Sequence, residues 1–148
     1  MYKIAVVHGP NLNLLGQREP DIYGRMTLEQ INQTLQQLAE SQACMIDFFQ
    51  SNHEGALVDY LQRQADMKTS IVVINPAGLT HTSVVLRDTL LAINIPFIEV
   101  HLSNIQARES FRRYSYFSDI ALGTITGFGA KSYELAFYAA MNYLKQEV

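Results

Sequence analysis

The chain contains one cysteine, Cys44, among its 148 residues, so an internal disulfide bond is impossible. A lone cysteine gives no sign of an oxidising compartment. The sequence also has no apolar run near the ~18 residues that a membrane-spanning helix requires. The apolar stretch near the first residue is shorter than the core of a signal peptide. These absences predict a cytoplasmic protein that does not enter a membrane.

An excess of positive charge is absent as well. The 11 Lys and Arg residues against 14 Asp and Glu give a net charge of −3, with a pI near 5.7. No sequence-wide basic field is therefore available to bind nucleic acid or an anionic membrane. With 48% apolar and 17% charged residues, the composition is typical of a soluble globular chain. The length predicts one domain over residues 1–148.

Short apolar runs alternate with helical patterns along the whole chain. The runs predict five strands, at residues 3–8, 45–49, 71–74, 97–100 and 120–126. The helical patterns lie at residues 28–38, 56–65, 83–93, near Arg108 and at 133–144. The first helix has a capping signal in Thr27 and Gln30. This alternation predicts an α/β fold, a five-stranded parallel sheet with helices on both faces in the flavodoxin-like doubly wound order.

Polar side chains collect where the predicted strands end, which is where ligands bind in such sheets. Three of the four histidines are at or beside these ends and the fourth is in a following turn: His8, His53, His101 and His81. Because side chains alternate along a strand, Glu99 and His101 are expected on the same face. A lone histidine is more often structural, but four in these positions together indicate a functional site.

The connection at residues 9–24, GPNLNLLGQREPDIYG, is longer than the ~2–6 residues usual between a strand and a helix. One interpretation is a surface loop built from turn-forming residues. The other is an active-site lid over about residues 16–24, hinged at its two glycines and carrying Arg18 and Tyr23. Its position at the carboxyl end of the first strand favours the lid.

Several other chemistries do not fit. His53 and Glu54 begin a zinc-protease pattern, but position 57 is Leu57 rather than histidine. The segment GFGAKS at residues 127–132 lacks the glycine that precedes the lysine of a Walker motif. A receiver domain would have an acidic pair after the first strand, and a flavin-binding module would have a phosphate loop there. The sequence GPNLNLLG at this place is neither, so both classes are disfavoured. No pair of cysteine or histidine residues has convincing metal-ligand spacing.

Five separated blocks of the sequence resemble type II 3-dehydroquinate dehydratases, enzymes of the shikimate pathway. In family order they are GPNLNLLGQREPDIYG, QSNHEGALVDYLQ, INPAGLTHTSVVLRD, EVHLSN and ARESFRRYS. Two departures are small: Ala77-Gly78 reverses the usual Gly-Ala order, and Ser132 replaces a common glycine. The resemblance implies removal of water from 3-dehydroquinate to give 3-dehydroshikimate through an enolate, without a cofactor.

The resemblance also assigns the chemistry to five side chains. Tyr23 is the base that removes a proton beside the ketone, and Arg18 assists it. His101 is the acid that protonates the departing hydroxyl, and Glu99 orients the histidine. Asn11 stabilises the enolate through a water molecule.

Substrate binding and assembly are implied in the same way. The residues expected to contact the substrate are Asn75, His81 and Arg112 at its hydroxyls, with the backbone of Leu102 and Ser103 at its carboxylate. The resemblance implies that the chains form trimers, which assemble into a dodecamer. Asp88 is therefore expected to reach the site of a neighbouring subunit. The expected partners are therefore a small-molecule substrate and further copies of this chain.

Elementary chemistry agrees with these roles. A free phenol with a pKa of ~10 is only ~0.1% ionised at neutral pH, and a guanidinium within reach favours the phenolate. Arg18, on the same connection as Tyr23, can supply that guanidinium. A hydroxyl leaves poorly unless it is protonated, and a histidine held by a carboxylate is a competent acid.

Other interpretations of these residues stay open. Tyr23 could close a turn, and Glu99 could be a buried carboxylate paired with an arginine. A catalytically silent protein that binds a small molecule could have the same fold. The remaining arginines of this region are predicted to be surface or structural residues: Arg25, Arg108 and Arg113.

Overall fold

The computed structural model describes residues 1–17 and 19–146, and its centre is a five-stranded sheet in which all pairings are parallel. The strands are β1 (Lys3–His8), β2 (Met45–Gln50), β3 (Ile71–Asn75), β4 (Phe97–His101) and β5 (Gly123–Thr126). Their order across the sheet is β2-β1-β3-β4-β5. This is the flavodoxin-like doubly wound order, so the predicted fold class is confirmed.

Helices cover both faces of the sheet. They are α1 (Pro20–Tyr23), α2 (Leu28–Ser41), α3 (Glu54–Asp66), α4 (Val84–Ile93) and α5 (Lys131–Gln146). One face, which includes Ile4 and Val6, packs with α2 and α5, while Ala5 and Val7 pack with α3 and α4 on the other. Both faces of β1 are therefore buried, which explains its continuous apolar sequence. In the part of the chain that the structure describes, no helix is long and apolar enough to cross a membrane.

The start of α2 has the predicted capping arrangement. Thr27 Oγ1 accepts a hydrogen bond from the Gln30 N–H at 3.2 Å, and Gln30 Oε1 accepts one from the Thr27 N–H at 3.0 Å. Ser83 caps α4 in a similar way by accepting from the Leu86 N–H at 2.9 Å. Such bonds satisfy N–H groups that have no partner inside the helix. The two caps fix the residues at which α2 and α4 begin.

Two predicted elements differ from the structure. The fifth strand begins at Gly123, because the residues before it turn back on the Phe117 carbonyl instead of extending. The short helix predicted near Arg108 is two separate 3-10 turns, Ile105–Ala107 and Ser110–Arg112, with Arg108 between them. The chain after β4 is therefore irregular, and this irregular stretch forms one side of the site described below.

Ala77 has a backbone conformation that glycine adopts more easily. Its φ is +54°, in the left-handed region, which costs roughly 1–2 kcal/mol for a residue with a Cβ atom. The next residue, Gly78, has no positive φ and has open space where a Cβ would be. The reversed Ala77-Gly78 order thus places alanine at the position that favours glycine.

Ala77→Gly is expected to increase the free energy of unfolding by roughly 0.5–1 kcal/mol, because relief of the strained φ outweighs the extra freedom of glycine in the unfolded chain. Urea denaturation at a fixed protein concentration measures this change. The matched control is Ala56→Gly in the regular helix α3, which is expected to lose about 1 kcal/mol. Similar losses in both variants would contradict the strain assigned to Ala77.

Candidate active site

A cavity of about 180 Å³ opens at the carboxyl edge of the sheet, where doubly wound folds bind ligands. Its wall combines the turns after β1, β3 and β4 with α1 and the irregular chain that follows β4. Of the ten predicted site residues that the structure describes, eight line it: Asn11, Tyr23, Asn75, His81, His101, Leu102, Ser103 and Arg112. The fold therefore brings most of the predicted residues to one place.

Gly9 allows the turns after β1 and β3 to touch. Its N–H donates to the Asn75 carbonyl at 2.8 Å. A Cβ atom on Gly9 would lie 2.5 Å from the Pro76 carbonyl oxygen, which is closer than side chains tolerate. A glycine is thus required for this close approach, and the approach holds the beginning of the 9–24 connection beside Asn75.

The turn that carries Asn11 is held by polar contacts from the end of β2. The Asn11 N–H donates to Asn52 Oδ1 at 2.9 Å, and Gln50 Nε2 donates to the same oxygen at 3.1 Å. Asn11 itself has a φ of +71°, a conformation that asparagine tolerates better than most residues. Asn52 therefore positions a cavity residue without lining the cavity itself.

Glu99 and His101 form a buried pair at the end of β4. Glu99 Oε2 accepts a hydrogen bond from His101 Nε2 at 2.5 Å. Ser115 Oγ lies 2.9 and 3.0 Å from the two carboxylate oxygens, and Ser118 Oγ donates at 2.8 Å. Burial acts to raise the pKa of Glu99, but the hydrogen bonds from His101 and the two serines outweigh it and hold this pKa below its usual value. Glu99 is therefore ionised at neutral pH.

The ionised carboxylate fixes which nitrogen of His101 carries the shared hydrogen. A carboxylate without a proton can only accept, so the hydrogen atom between the two groups belongs to His101 Nε2. Nδ1 is then the nitrogen through which His101 can exchange a proton with a bound molecule. Since the His101 ring lines the cavity, the pair is arranged as an oriented acid or base.

His81 presents a complementary acceptor. Its Nδ1 lies 2.7 Å from the backbone carbonyl of Tyr114, so this nitrogen carries the hydrogen. Burial lowers the pKa of His81 more than the bond to Tyr114 raises it, and the charges of His101 and Arg112 lower it further. His81 is thus neutral at neutral pH, and its Nε2 is free of hydrogen and able to accept.

Tyr23 lies at the end of α1 and interacts with an arginine. Arg108 Nη1 donates to the Tyr23 hydroxyl at 2.8 Å and also reaches Ser103 Oγ at 3.4 Å. The Arg108 guanidinium carbon lies 5.2 Å from the centroid of the Tyr23 ring. A cation at this distance stabilises negative charge on the phenol oxygen.

Arg108 was predicted to be a surface or structural residue, and the surface position is wrong. Only 15% of its side chain is exposed, and it lines the cavity. The missed signal was its place between the end of β4 and Arg112, inside one of the blocks that carry the family resemblance. The sequence predicted one short helix near Arg108, whereas Arg108 lies between two 3-10 turns. These turns direct its side chain toward Tyr23, and helical periodicity does not predict that direction.

Two of the predicted residues that the structure describes are not in the cavity wall. Arg18 lies outside the described residues. Glu99 is completely buried behind His101, and Asp88 is exposed on α4, away from the cavity of its own chain. Two of the four histidines that the sequence pattern placed near the strand ends also lie outside the cavity wall. His8 is buried beneath the site, and His53 is exposed at the start of α3.

Within residues 1–17 and 19–146, no group of three or more His, Cys, Asp or Glu side chains is arranged to hold a metal ion. Cys44, the one free thiol of the described chain, is buried beside β2 and hydrogen-bonds to backbone carbonyls.

The chain is similar over nearly its whole length to known dehydroquinases. The sequence model of the family "Dehydroquinase class II" matches residues 2–141. A 3-dehydroquinate dehydratase of Nitrosomonas eutropha is 58% identical over 139 residues, which are 94% of this chain and 96% of that one. One from Acinetobacter baumannii is 55% identical over 142 residues, 96% of this chain and 94% of the relative.

Solved structures agree with the sequence relatives. The type II dehydroquinase of Butyrivibrio crossotus superposes with a TM-score of 0.93 and 40% identity, covering 95% of this chain and 97% of that one. The type II dehydroquinase of Propionibacterium acnes gives 0.89 and 39% over the same shares. The chain therefore belongs to the class II dehydroquinase family.

Proposed function

We propose that the chain removes water from 3-dehydroquinate to give 3-dehydroshikimate through an enolate, with Tyr23 as the base and His101 as the acid. Its family and close relatives make it a 3-dehydroquinate dehydratase. The proposed setting is the shikimate pathway of aromatic amino acid biosynthesis in the cytoplasm. One observation carries the mechanism: a tyrosine held by a cation and a histidine held by a carboxylate line the same cavity.

The first step removes a proton from the carbon beside the ketone. This proton is only weakly acidic, so the base has to be strong, and a phenolate is a strong base. Arg108 donates to the Tyr23 oxygen and stabilises the phenolate. We propose that Arg18 adds a second cation. The proton passes to the Tyr23 oxygen, and the electron pair moves to the carbonyl oxygen to give the enolate.

The second step expels the hydroxyl group. The enolate pushes out the carbon–oxygen electron pair, and the proton of His101 Nδ1 passes to the departing oxygen so that water leaves. Glu99 keeps the hydrogen bond to Nε2 throughout and holds the ring in place. Tyr23 ends protonated and His101 ends neutral, so proton exchange with solvent resets both groups.

The remaining cavity residues are proposed to bind the substrate. An enolate oxygen needs donors that are already in position, and Asn11 is proposed to supply one. The groups proposed to bind substrate are Asn75, His81 and Arg112 at its hydroxyls and the backbone of Leu102 and Ser103 at its carboxylate. The cavity wall supports this division, since it offers amide, imidazole and guanidinium groups around one small volume.

The segment over about residues 16–24 is proposed to act as a lid. Gly16 and Gly24 bound it, and both have positive φ values of 88° and 86°, which suits hinges. Tyr23, at its end, already points into the cavity. A lid that excludes water strengthens the electrostatic interactions inside a site.

Incubation of the purified protein with 3-dehydroquinate tests the proposed function. The product has a carbon–carbon double bond conjugated with its ketone, so ultraviolet absorbance rises as the reaction proceeds. A silent binding protein of the same fold would bind the compound without this rise, and that result would overturn the proposal.

Arg108→Met is expected to decrease kcat by about 10–100-fold, because a charge-assisted hydrogen bond contributes about 1.5–3 kcal/mol. Steady-state kinetics with the ultraviolet assay measure this loss. The matched control is Arg63→Met, which removes an arginine from the last turn of α3 at the opposite edge of the sheet and is expected to keep wild-type activity. Equal activity of the two variants would contradict the role given to Arg108.

We propose further that the chains assemble into trimers within a dodecamer and that Asp88 reaches a neighbouring site. Along α4, the apolar residues Val84, Val85 and Leu91 are about half exposed near Asp88, and exposed apolar patches mark interaction surfaces. A mass measurement in solution is expected to give a dodecamer of the 16.7 kDa chain. A monomeric mass at working concentration would contradict the assembly.

A further inference from the structure

A short segment, residues 114–118, packs against the buried carboxylate of Glu99 from outside the cavity wall. The backbone of this segment is fixed on two sides. The Tyr116 N–H donates to the Thr80 carbonyl at 2.9 Å, and Arg87 Nη1 on α4 donates to the Tyr116 carbonyl at 2.7 Å. The segment is therefore held by the turn after β3 and by α4 at once, so its side chains have fixed places beside Glu99.

The Ser115 hydroxyl has a single possible arrangement of its hydrogen bonds. Its oxygen accepts the backbone N–H groups of Phe117 at 3.0 Å and Ser118 at 3.2 Å. A hydroxyl has two lone pairs and one hydrogen, so both lone pairs are used and the hydrogen is directed to Glu99, whose oxygens lie at 2.9 and 3.0 Å. Ser115 can therefore donate to Glu99 but cannot accept from it.

Ser118 supplies a second donor, to the Glu99 oxygen opposite His101. The Ser118 hydroxyl donates to Oε1 at 2.8 Å, whereas His101 Nε2 donates to Oε2 at 2.5 Å. Together with Ser115, three donors surround a carboxyl group whose residue has no exposed surface. Such bonds stabilise the charged form of a carboxyl group and oppose the effect of its burial.

A proton on Glu99 would disturb its hydrogen bond to His101. The protonated acid would have a hydrogen to donate, and Ser115 has no lone pair left to accept it. The acceptors within hydrogen-bond distance are Ser118 Oγ and His101 Nε2. Donation to Nε2 would require the hydrogen of the neutral His101 ring to move to Nδ1. The orientation in which Glu99 holds the Nε2 hydrogen would then be lost.

We propose that Ser115 and Ser118 are positioning residues that keep Glu99 a carboxylate, so that His101 keeps its hydrogen on Nε2 and faces the substrate through Nδ1. The inference deepens the proposed function and rests on it, because it concerns the acid of the same reaction. The two serines act through Glu99 and do not line the cavity.

The charged groups on the surrounding elements are engaged elsewhere. They include His81, Arg87, Arg112 and Asp119. Both arginines already form ion pairs with carboxylates, and burial keeps His81 neutral. The hydrogen bonds that hold the pKa of Glu99 below its usual value come from His101, Ser118 and Ser115. Removal of one serine donor therefore raises this pKa.

Ser118→Ala tests the proposal, because it removes the donor to Oε1 at an exposed residue. Ser115→Ala would also leave two backbone N–H groups without their acceptor, so it is the less specific change. The pKa of Glu99 is expected to rise by about one unit, the lower end of the effect of a hydrogen bond to a charged group. Since the carboxylate is lost as pH falls through this pKa, the decrease of kcat on the acid side should move upward by about one pH unit.

Three further variants isolate the effect. Ser118→Thr retains a hydroxyl and is expected to restore the wild-type pH profile. Ser41→Ala removes an exposed hydroxyl on α2, bonded to a backbone carbonyl, and should also keep this profile. In a Glu99→Gln background, Ser118→Ala should cause no shift, because an amide does not titrate. An unshifted profile in Ser118→Ala, an equal loss of kcat at every pH, or a shift that persists with Glu99→Gln would overturn the proposal.

Infrared spectroscopy follows Glu99 directly and requires no activity. A protonated carboxyl group has a carbonyl stretch that a carboxylate lacks, and the Glu99 band is identified by its absence from Glu99→Gln. We expect this band to appear about one pH unit higher in Ser118→Ala than in the wild type. Its appearance at the same pH in both proteins would contradict the inference. The infrared shift without activity toward 3-dehydroquinate would instead refute the proposed function, so the two failures are distinguishable.

Discussion

Tyr23→Phe is expected to keep the fold and lose nearly all turnover. The phenyl ring can still pack against the Arg108 guanidinium, but it has no oxygen to take a proton from carbon. Loss of a general base usually decreases the rate ~10²–10⁴-fold, and we expect kcat to fall within that range. The ultraviolet assay measures the rate, and circular dichroism establishes that the variant is folded.

The control for this variant is Tyr138→Phe. Tyr138 is 52% exposed on α5, so the change removes the same hydroxyl from a position away from the cavity. We expect wild-type kinetics from the control. Retention of the wild-type rate by Tyr23→Phe would refute the assignment of Tyr23 as the base.

The Tyr23 and Arg108 variants also test whether the two residues act together. If Arg108 acts by stabilising charge on the Tyr23 oxygen, its removal has little left to affect once that oxygen is gone. Combined with Tyr23→Phe, Arg108→Met should therefore cause much less than its own 10–100-fold loss. Losses that multiply would show that Arg108 acts on another part of the reaction.

The framework of the molecule could be predicted from sequence because its signals are local. The burial of β3 on both faces appears directly as its unbroken apolar run, and the cap at Thr27 needs only residues within one turn. The alternation of strands and helices then restricts the topology to a few doubly wound forms. Glu99 and His101 could be paired because strand periodicity puts alternate residues on one face.

The parts that could not be predicted depend on contacts between distant segments. Arg108 meets Tyr23 across 85 positions of sequence, and Tyr133 meets His8 across 125. No periodic pattern encodes such contacts, which exist only once irregular turns and packed helices are in place. Family resemblance identified most of the cavity residues, whereas the contacts that hold them, such as the hydrogen bond from the Asn11 N–H to Asn52, became visible only in the structure.

His101→Ala should have an effect as large as that of Tyr23→Phe. Without a proton donor the enolate has to expel hydroxide rather than water, so we expect kcat to fall ~10²–10⁴-fold. Glu99→Gln keeps the shape of the buried group but removes the charge that His101 Nε2 faces. We expect a smaller loss in kcat of roughly 10–100-fold, since the histidine remains but is less firmly oriented.

The control for both variants is His53→Ala. The sequence pattern grouped His53 with the other histidines of the predicted site, but the structure places it outside the cavity, exposed at the start of α3. Steady-state kinetics of the three variants should therefore rank His53→Ala near wild type, Glu99→Gln below it and His101→Ala lowest. A Glu99→Gln enzyme as slow as His101→Ala would mean that the carboxylate does more than orient the ring. A His101→Ala enzyme near the wild-type rate would mean that another group protonates the leaving hydroxyl, because no reorientation of an alanine can supply a proton.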